Sequence, residues 1–221
     1  MAPREQFQVL VVDENPLTRF GISSVVNLHP FLHVCEEAAD ARSARAAHAA
    51  EVPHIVILDI LLPHGDGIEL VREFSSCRPK CRPIVVSDLV DSPTIRRAFQ
   101  AGALAYISKK DEAAQILCAL EAVLSGTTYT SKIVSETLQA EISRKTPGRI
   151  HKLINTLSNR ELHVFRRLAR NQGTTAIARE LSVSVKTVET HLSRIKEKLH
   201  LESSVQLHHV AESWWASLHG Q

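Results

Sequence analysis

Sulfur and aromatic side chains are scarce in this chain: four cysteines, one methionine, two tryptophans, two tyrosines and six phenylalanines among 221 residues. Of the cysteines (Cys35, Cys77, Cys81, Cys118), only Cys77 and Cys81 are close in sequence. Their C-x3-C spacing lacks the second pair, or the histidines at zinc spacing, that a structural metal site needs, so reduced thiols are expected. No apolar run approaches the roughly 20 residues required to span a bilayer, which argues against a membrane protein. The opening "MAPREQF" leads straight into a strand-like run without the pattern of a signal peptide, so a cytoplasmic location is expected. Repeats and low-complexity tracts are also missing, apart from an Ala-rich stretch at 38–50 that a helix explains.

What is present is ordinary for a folded chain, 44% hydrophobic and 23% charged, with a length that suits two small domains. The net charge of +2 hides an asymmetry. Residues 1–127 hold 12 Lys and Arg against 16 Asp and Glu, whereas residues 152–221 hold 10 against 6. An acidic module thus precedes a basic one, and the basic one suits a polyanion.

The first part alternates short apolar runs with helix-like segments. The runs are "FQVLVV" (7–12), "FLHVC" (31–35), "HIVIL" (54–58), "PIVVS" (83–87) and "LAYIS" (104–108). They are continuous rather than alternating, as parallel strands covered on both faces should be. Asp66, Asp91 and Asp111 stand where they can cap the following helices, and Pro93 fits a first helical turn. This pattern predicts a five-stranded doubly wound parallel α/β sheet, in which ligands bind beyond the carboxyl ends of the strands. Residues 128–151 read as a linker with a helix, broken by "RKTPGR" at 144–149.

The last part carries no strand signal and is expected to be all-α. Ser158 and Glu161 have capping-box spacing, and Leu162, Phe165, Leu168 and Ala169 share a face. A short second helix with Ile177, Ala178 and Leu181 inward follows closely. In "SVKTVETHLSRIKEKL" (184–199), Val185, Val188, Leu192, Ile195 and Leu199 form one stripe. The other face presents polar and basic side chains, which is the layout of a helix-turn-helix. A final helix near 203–217 contains Trp214 and Trp215; Trp214 would complete the small core, or the exposed Trp would pack a dimer interface or dock on the first module.

Chemistry concentrates at the strand ends of the first module. Asp13 and Glu14 follow the first strand and Asp59 the third, and these strands are neighbours in a doubly wound sheet. Ser87 ends the fourth strand and Lys109 follows the fifth. Helix capping explains one or two such residues but not all five. Crowded carboxylates call for a hard cation such as Mg²⁺, leaving Asp59 as an oxygen nucleophile toward a phosphoryl group. Lys109 and the Ser87 hydroxyl would bind the phosphoryl oxygens.

With these residues in place, 7–127 resembles a response-regulator receiver domain. "VVDENP" supplies the acidic pair, and "LDILLPHGDG" places Pro63 and Gly67 four and eight residues after Asp59. Ser87 follows, and then "AGALAYISK" with Tyr106 and Lys109. Residues 153–210 resemble a LuxR-type helix-turn-helix through "LSNRE", "IARELSVSVKTVETHLSRIKEKL" and "SSVQL". The order of modules is that of the NarL/FixJ family of two-component response regulators. The resemblance implies a receiver at 6–127 and a DNA-binding domain at 152–217. It also implies phosphotransfer from a sensor histidine kinase to Asp59, with Mg²⁺ held by Asp13, Glu14, Asp59 and the backbone carbonyl of Leu61. Ser87 and Tyr106 would be the switch pair: Ser87 moves toward the phosphoryl group and Tyr106 turns inward. Such a protein acts as a DNA-binding transcription regulator rather than an enzyme, and as a homodimer when active.

On the DNA-reading helix, Lys186, Arg194, Lys196 and Lys198 suit phosphate or guanine, and Thr187 suits phosphate near the helix start. By resemblance, Glu189, Thr190 and Ser193 face base edges, where Glu189 can accept from cytosine N4. His191 packs or contacts phosphate.

Some positions depart from the family. Glu14 stands where Asp is commoner, Asp88 follows Ser87 where small or apolar residues are usual, and Asn171 replaces a glycine. Leu61 and Leu89, two residues after Asp59 and Ser87, should hinder water and prolong the phosphorylated state. Glu14 and Asp88 leave room for an alternative, a phosphorylation-independent regulator whose receiver serves as an interaction or dimerisation module. A haloacid-dehalogenase-type phosphatase would need a second Asp where Leu61 stands, which counts against it.

Overall fold

The computed structural model describes residues 6–63, 65–77, 80–143 and 149–219. The chain forms two compact units, 1–143 and 144–221. In the first unit the strands are β1 (Phe7–Val12), β2 (Leu32–Ala38), β3 (Ile55–Leu58), β4 (Arg82–Ser87), β5 (Ala105–Ser108) and β6 (Tyr129–Thr130). They form one all-parallel sheet in the order β2-β1-β3-β4-β5-β6. The sheet therefore has six strands, not the expected five. The extra strand is two residues long, too short for any periodicity to announce it.

Helices α1 (Pro16–Asn27) and α5 (Ala114–Leu124) belong to one face, whose core includes Val9, Val11, Ile55, Ile57, Ile84 and Ile107. Helices α2 (Ala41–Ala50), α3 (Gly67–Ser76), α4 (Ser92–Ala101) and α6 (Lys132–Ser143) belong to the other, with Leu10, Val12, Val56, Leu58, Val85 and Tyr106. Successive strand residues point to opposite faces, and both faces are covered, so unbroken Val and Ile runs result. β3 lies inside the sheet and its four residues are fully buried.

Asp66 accepts from the Ile68 and Glu69 N–H groups and Asp91 from Thr94 N–H, so both cap their helices as expected. Asp111 does not: α5 starts at Ala114 without a side-chain cap, and Asp111 instead accepts from Ser108 N–H. The segment at 128–151, expected to be a linker with a helix, contains α6 and is attached to the first unit. β6 pairs with β5, Val134 of α6 is fully buried in the core with Tyr106, and residues up to 143 belong to the first unit. The breaker at 144–148 lies outside the described residues.

The second unit is helical: α7 (Arg149–Ile154), α8 (Asn159–Ala169), α9 (Thr174–Glu180), α10 (Val185–Leu199) and α11 (Ser204–His219). Its core joins Leu162, Phe165, Ile177, Val188, Ile195, Leu199 and Trp214. The Ser158–Glu161 capping box is present on α8, and Asn171 takes the left-handed conformation with φ 59°. Val185 departs from its stripe. It opens α10 at the helix start and is 37% exposed.

Candidate functional site: the strand-end carboxylates and the helix-turn-helix

Asp59 N–H bonds to Val12 O, which fixes this carboxylate against the end of β1 as β3 leaves the sheet. Gly67 makes this position possible. A Cβ there would lie 2.3 Å from Ile60 Cα and 2.8 Å from Asp59 O, so only glycine lets the start of α3 press against the chain after β3.

The carboxylate of Asp59, 3% exposed, is fully engaged. Its Oδ1 accepts from Ser87 Oγ at 2.7 Å and from Leu61 N–H at 3.0 Å, and its Oδ2 accepts from Lys109 Nζ at 2.6 Å. Lys109 Nζ also stands 2.7 Å from Oδ2 of Asp13, itself 1% exposed, while Asp13 Oδ1 accepts from Asn15 N–H. Four of the five strand-end residues thus meet. The fifth, Glu14, is exposed. Among the described residues no three His, Cys, Asp or Glu side chains are gathered closely enough to hold a metal. Asp88 is also exposed, and Leu61 and Leu89 are half-buried beside the site.

Two buried carboxylates share one ammonium, so a negative charge is left uncompensated. Burial pushes the Asp59 carboxyl above its ordinary value, and Lys109 with the hydrogen bonds from Leu61 and Ser87 opposes this only in part. For Lys109, burial acts to lower the pKa, but Asp59 and Asp13 outweigh it and hold the ammonium above its ordinary value. Asp13 Oδ2 is buried without a well-directed hydrogen bond despite its close ion pair. Uncompensated charge, an under-used carboxylate oxygen and hard oxygen donors fit a divalent cation such as Mg²⁺.

Sequence reasoning missed the support beneath the acidic pair. Arg19 donates to the backbone carbonyls of Asp13 and Glu14 at 2.8 and 3.2 Å. It also pairs with Glu37, which accepts from Ser23 Oγ. The only available signal was an arginine one turn into the helix after Asp13.

In the second unit, Lys186, Glu189, Thr190, Ser193 and Arg194 are exposed along α10, and Thr187 and Lys196 are partly so. Ser184 caps the helix by accepting from Thr187 N–H, and its hydroxyl also meets that of Thr187 at 2.8 Å. Lys198 is partly exposed as well, but its side chain is engaged within the unit. Its ammonium lies 2.6 Å from Oε2 of Glu161, which is 3% exposed, and reaches Thr156 O as well. Burial acts to raise the Glu161 carboxyl, but Lys198 and the Ser158 N–H hold it below its ordinary value. His191 is half-buried, and burial pushes its pKa down. Trp214 completes the core against Phe165, at 5.3 Å between ring centroids, while the Arg170 guanidinium covers Trp215 at 4.5 Å.

A receiver-like strand-end cluster followed by a helix-turn-helix is matched by known proteins. The chain fits the response regulator receiver domain family over residues 9–121 and the luxR family of bacterial regulatory proteins over residues 155–211. The Fimbriae Z protein of Salmonella typhimurium is 33% identical over 206 residues, 93% of this chain and 96% of that protein. The chain is a LuxR-family response regulator. Transcriptional activator protein ExaE of Pseudomonas putida is 30% identical to the regulator over 203 residues, 92% of the chain and 94% of that protein. A LuxR-family two-component response regulator from Aurantimonas sp. SI85-9A1 superposes with a TM-score of 0.59 at 29% identity, over 62% of this chain and 99% of the other. RcsB of Salmonella typhimurium shares the fold at 23% identity and a TM-score of 0.59, over 95% of this chain and 99% of its own. The regulator is accordingly a DNA-binding transcription regulator of a two-component system. Among its described residues no helix is long and apolar enough to cross a membrane.

Proposed function

We propose that the regulator is switched by transfer of a phosphoryl group from a sensor kinase's phosphohistidine to Asp59. A carboxylate oxygen of Asp59 attacks phosphorus, the phosphorus–nitrogen bond breaks, and the imidazole leaves with the electron pair. The reading is carried by one observation: Asp59 is buried at the end of β3 between Ser87, Lys109 and Asp13, with a negative charge left over. Asp13, Glu14, Asp59 and the Leu61 carbonyl would hold Mg²⁺, which requires the exposed Glu14 side chain to turn inward. The metal supplies charge neutralisation of the carboxylates and the phosphoryl oxygens. Lys109 already touches the acceptor carboxylate and neutralises the incoming oxygens, and Ser87 donates to one of them.

In the second unit, Lys186, Arg194 and Lys196 contact phosphate or guanine, Thr187 contacts phosphate, and Glu189, Thr190 and Ser193 face base edges. Lys198 leaves this set because it is held by Glu161. The active form is a homodimer on paired half-sites; RcsB, which shares the fold, has been solved as dimers bound to DNA.

The test is DNA affinity with and without acetyl phosphate and Mg²⁺. Wild type should gain affinity and Asp59→Ala should not; equal responses of the two proteins would overturn the switch. A second reading, independence from phosphate, has its own support. Ser87 already bonds to Asp59, and Tyr106 is already fully buried with its hydroxyl donating to Leu89 O. These are the positions expected after phosphorylation. On that reading neither acetyl phosphate nor Asp59→Ala changes DNA affinity.

A further inference from the structure

An unbroken line of hydrogen bonds leaves the phosphoacceptor and ends on the helix that follows the receiver sheet. Ser87 Oγ donates to Asp59 Oδ1 and accepts from Leu89 N–H at 3.3 Å. The carbonyl of that same Leu89 accepts from the Tyr106 hydroxyl. Along β5 the line passes to the backbone. Tyr106 O accepts from Ser131 N–H at 3.1 Å, Leu104 O accepts from Tyr129 N–H at 2.9 Å, and Tyr106 registers with Thr130. Ser131 is fully buried and its Oγ accepts from Ser108 N–H at 3.3 Å. Ser131 O then accepts from Ser135 N–H in the first turn of α6.

Packing follows the same route. Val134 is fully buried in the cluster that holds Tyr106, Ile95 and Ala98, and Leu89, Val90 and Leu138 pack against that cluster half-buried. Tyr106, the β4–α4 loop, α4 and α6 therefore share one core. Interiors at this density do not deform smoothly; a change in one member is met by a discrete repacking of the others. The chain then runs from α6 through 144–148 into the DNA-binding unit, so these residues are the covalent exit from the receiver.

We propose that residues 129–138 are the output lever of the receiver: β6 and the first turns of α6 move with Tyr106, and so pass the state of Asp59 to the chain leading into the DNA-binding unit. The proposal rests on the phosphorylation switch above. It assigns a signalling role to a segment that composition alone marks as a linker. It also locates the coupling in two places, the Tyr106–Ser131 backbone bond and the Val134–Leu138 contact with the α4 side of the core.

Full-length protein tests it through two readouts. Hydrogen exchange of the amides at 129–138 should change when beryllofluoride and Mg²⁺ are added to wild type, and should stay unchanged in Asp59→Ala. Val134→Ala and Leu138→Ala should still take a phosphoryl group from acetyl phosphate, scored by phosphate-affinity gel mobility, and keep their basal DNA affinity. Their donor-dependent gain in DNA affinity should shrink by about fivefold or more, the scale of a typical coupling between sites. A phosphorylated wild type with unaltered exchange at 129–138, or full gains in both variants, overturns the lever alone. A wild type that takes no phosphoryl group, or shows no DNA response once phosphorylated, sinks the switch and the lever with it. Should Val134→Ala fail to fold, the exchange measurement on wild type and the half-buried Leu138→Ala still decide.

Discussion

Glu161 and Lys198 illustrate how one side chain's tip overrides what its position on a helix suggests. Counted along α10, Lys198 falls among the basic residues suited to DNA, yet its four-carbon stem carries the ammonium to a buried carboxylate on α8. A stripe of apolar residues shows which way a Cβ points, not where a long side chain ends. The pair also has a defined pH behaviour. Because the folded carboxyl of Glu161 is depressed, its contribution to stability is present above the unfolded value, about 4.3, and is lost as pH falls through the lower folded value. Urea denaturation of the helical unit should show this acid-side loss in wild type and not in Glu161→Gln, which keeps the capping box. Lys198→Ala should destabilise the unit by about 1–3 kcal/mol by stranding a buried charge. Lys186→Ala should leave stability unchanged, weaken binding across DNA sequences and lower the salt slope by about one. A Lys198→Ala protein with normal stability and a reduced salt slope would restore Lys198 to the DNA surface.

Among elements, β3 and the start of α3 were the most readable, because an unbroken apolar run that ends in Asp59 leaves few choices for a buried parallel strand. Gly67, at the first position of α3, is the element-level lock on that geometry. Gly67→Ala places a methyl group against backbone atoms of Asp59 and Ile60, which cannot rotate aside. The expected cost is about 1–3 kcal/mol, together with slower phosphorylation by acetyl phosphate as the acceptor shifts. Gly21, exposed in α1 with no atom beyond its chain neighbours and its own helix backbone within 4 Å of where an alanine methyl group would stand, is the control: Gly21→Ala should stabilise by about 0.5–1 kcal/mol. Equal effects at the two sites in chemical denaturation would contradict the assignment. The strand ends and the helix-turn-helix were legible because each rests on local periodicity or on spaced polar residues, whereas a switch role for Ser87 and Tyr106 is implied only by the family resemblance. β6 was not legible, since a two-residue strand has no period and is held by pairing with β5 and by tertiary contacts of Tyr129 and Thr130. Glu14 follows Asp13 directly in sequence, but it lies beyond the end of β1 and is exposed, so adjacency alone does not bring it into the buried cluster.

For the whole molecule, two units with separate hydrophobic cores imply two unfolding transitions rather than one. Ligands that bind one folded unit raise that unit's transition by mass action, about 1.4 kcal/mol at ten times Kd and about 2.7 kcal/mol at a hundred times. Mg²⁺ should therefore lift the receiver transition in a calorimetric scan, because it relieves the charge that Asp13 and Asp59 leave unbalanced around Lys109. Asp13→Asn should abolish that lift while leaving the helical unit's transition in place. A duplex carrying the bound sequence should lift the helical transition in turn, and Lys186→Ala should weaken that effect without touching the receiver. Beryllofluoride separates independence from coupling: added with Mg²⁺, it should raise the receiver transition in wild type but not in Asp59→Ala. If the DNA-induced shift of the helical unit then also grows, the two units exchange free energy, and the size of that growth measures how much the receiver contributes to DNA binding. A single transition moved equally by Mg²⁺ and by DNA would instead require the two cores to unfold as one.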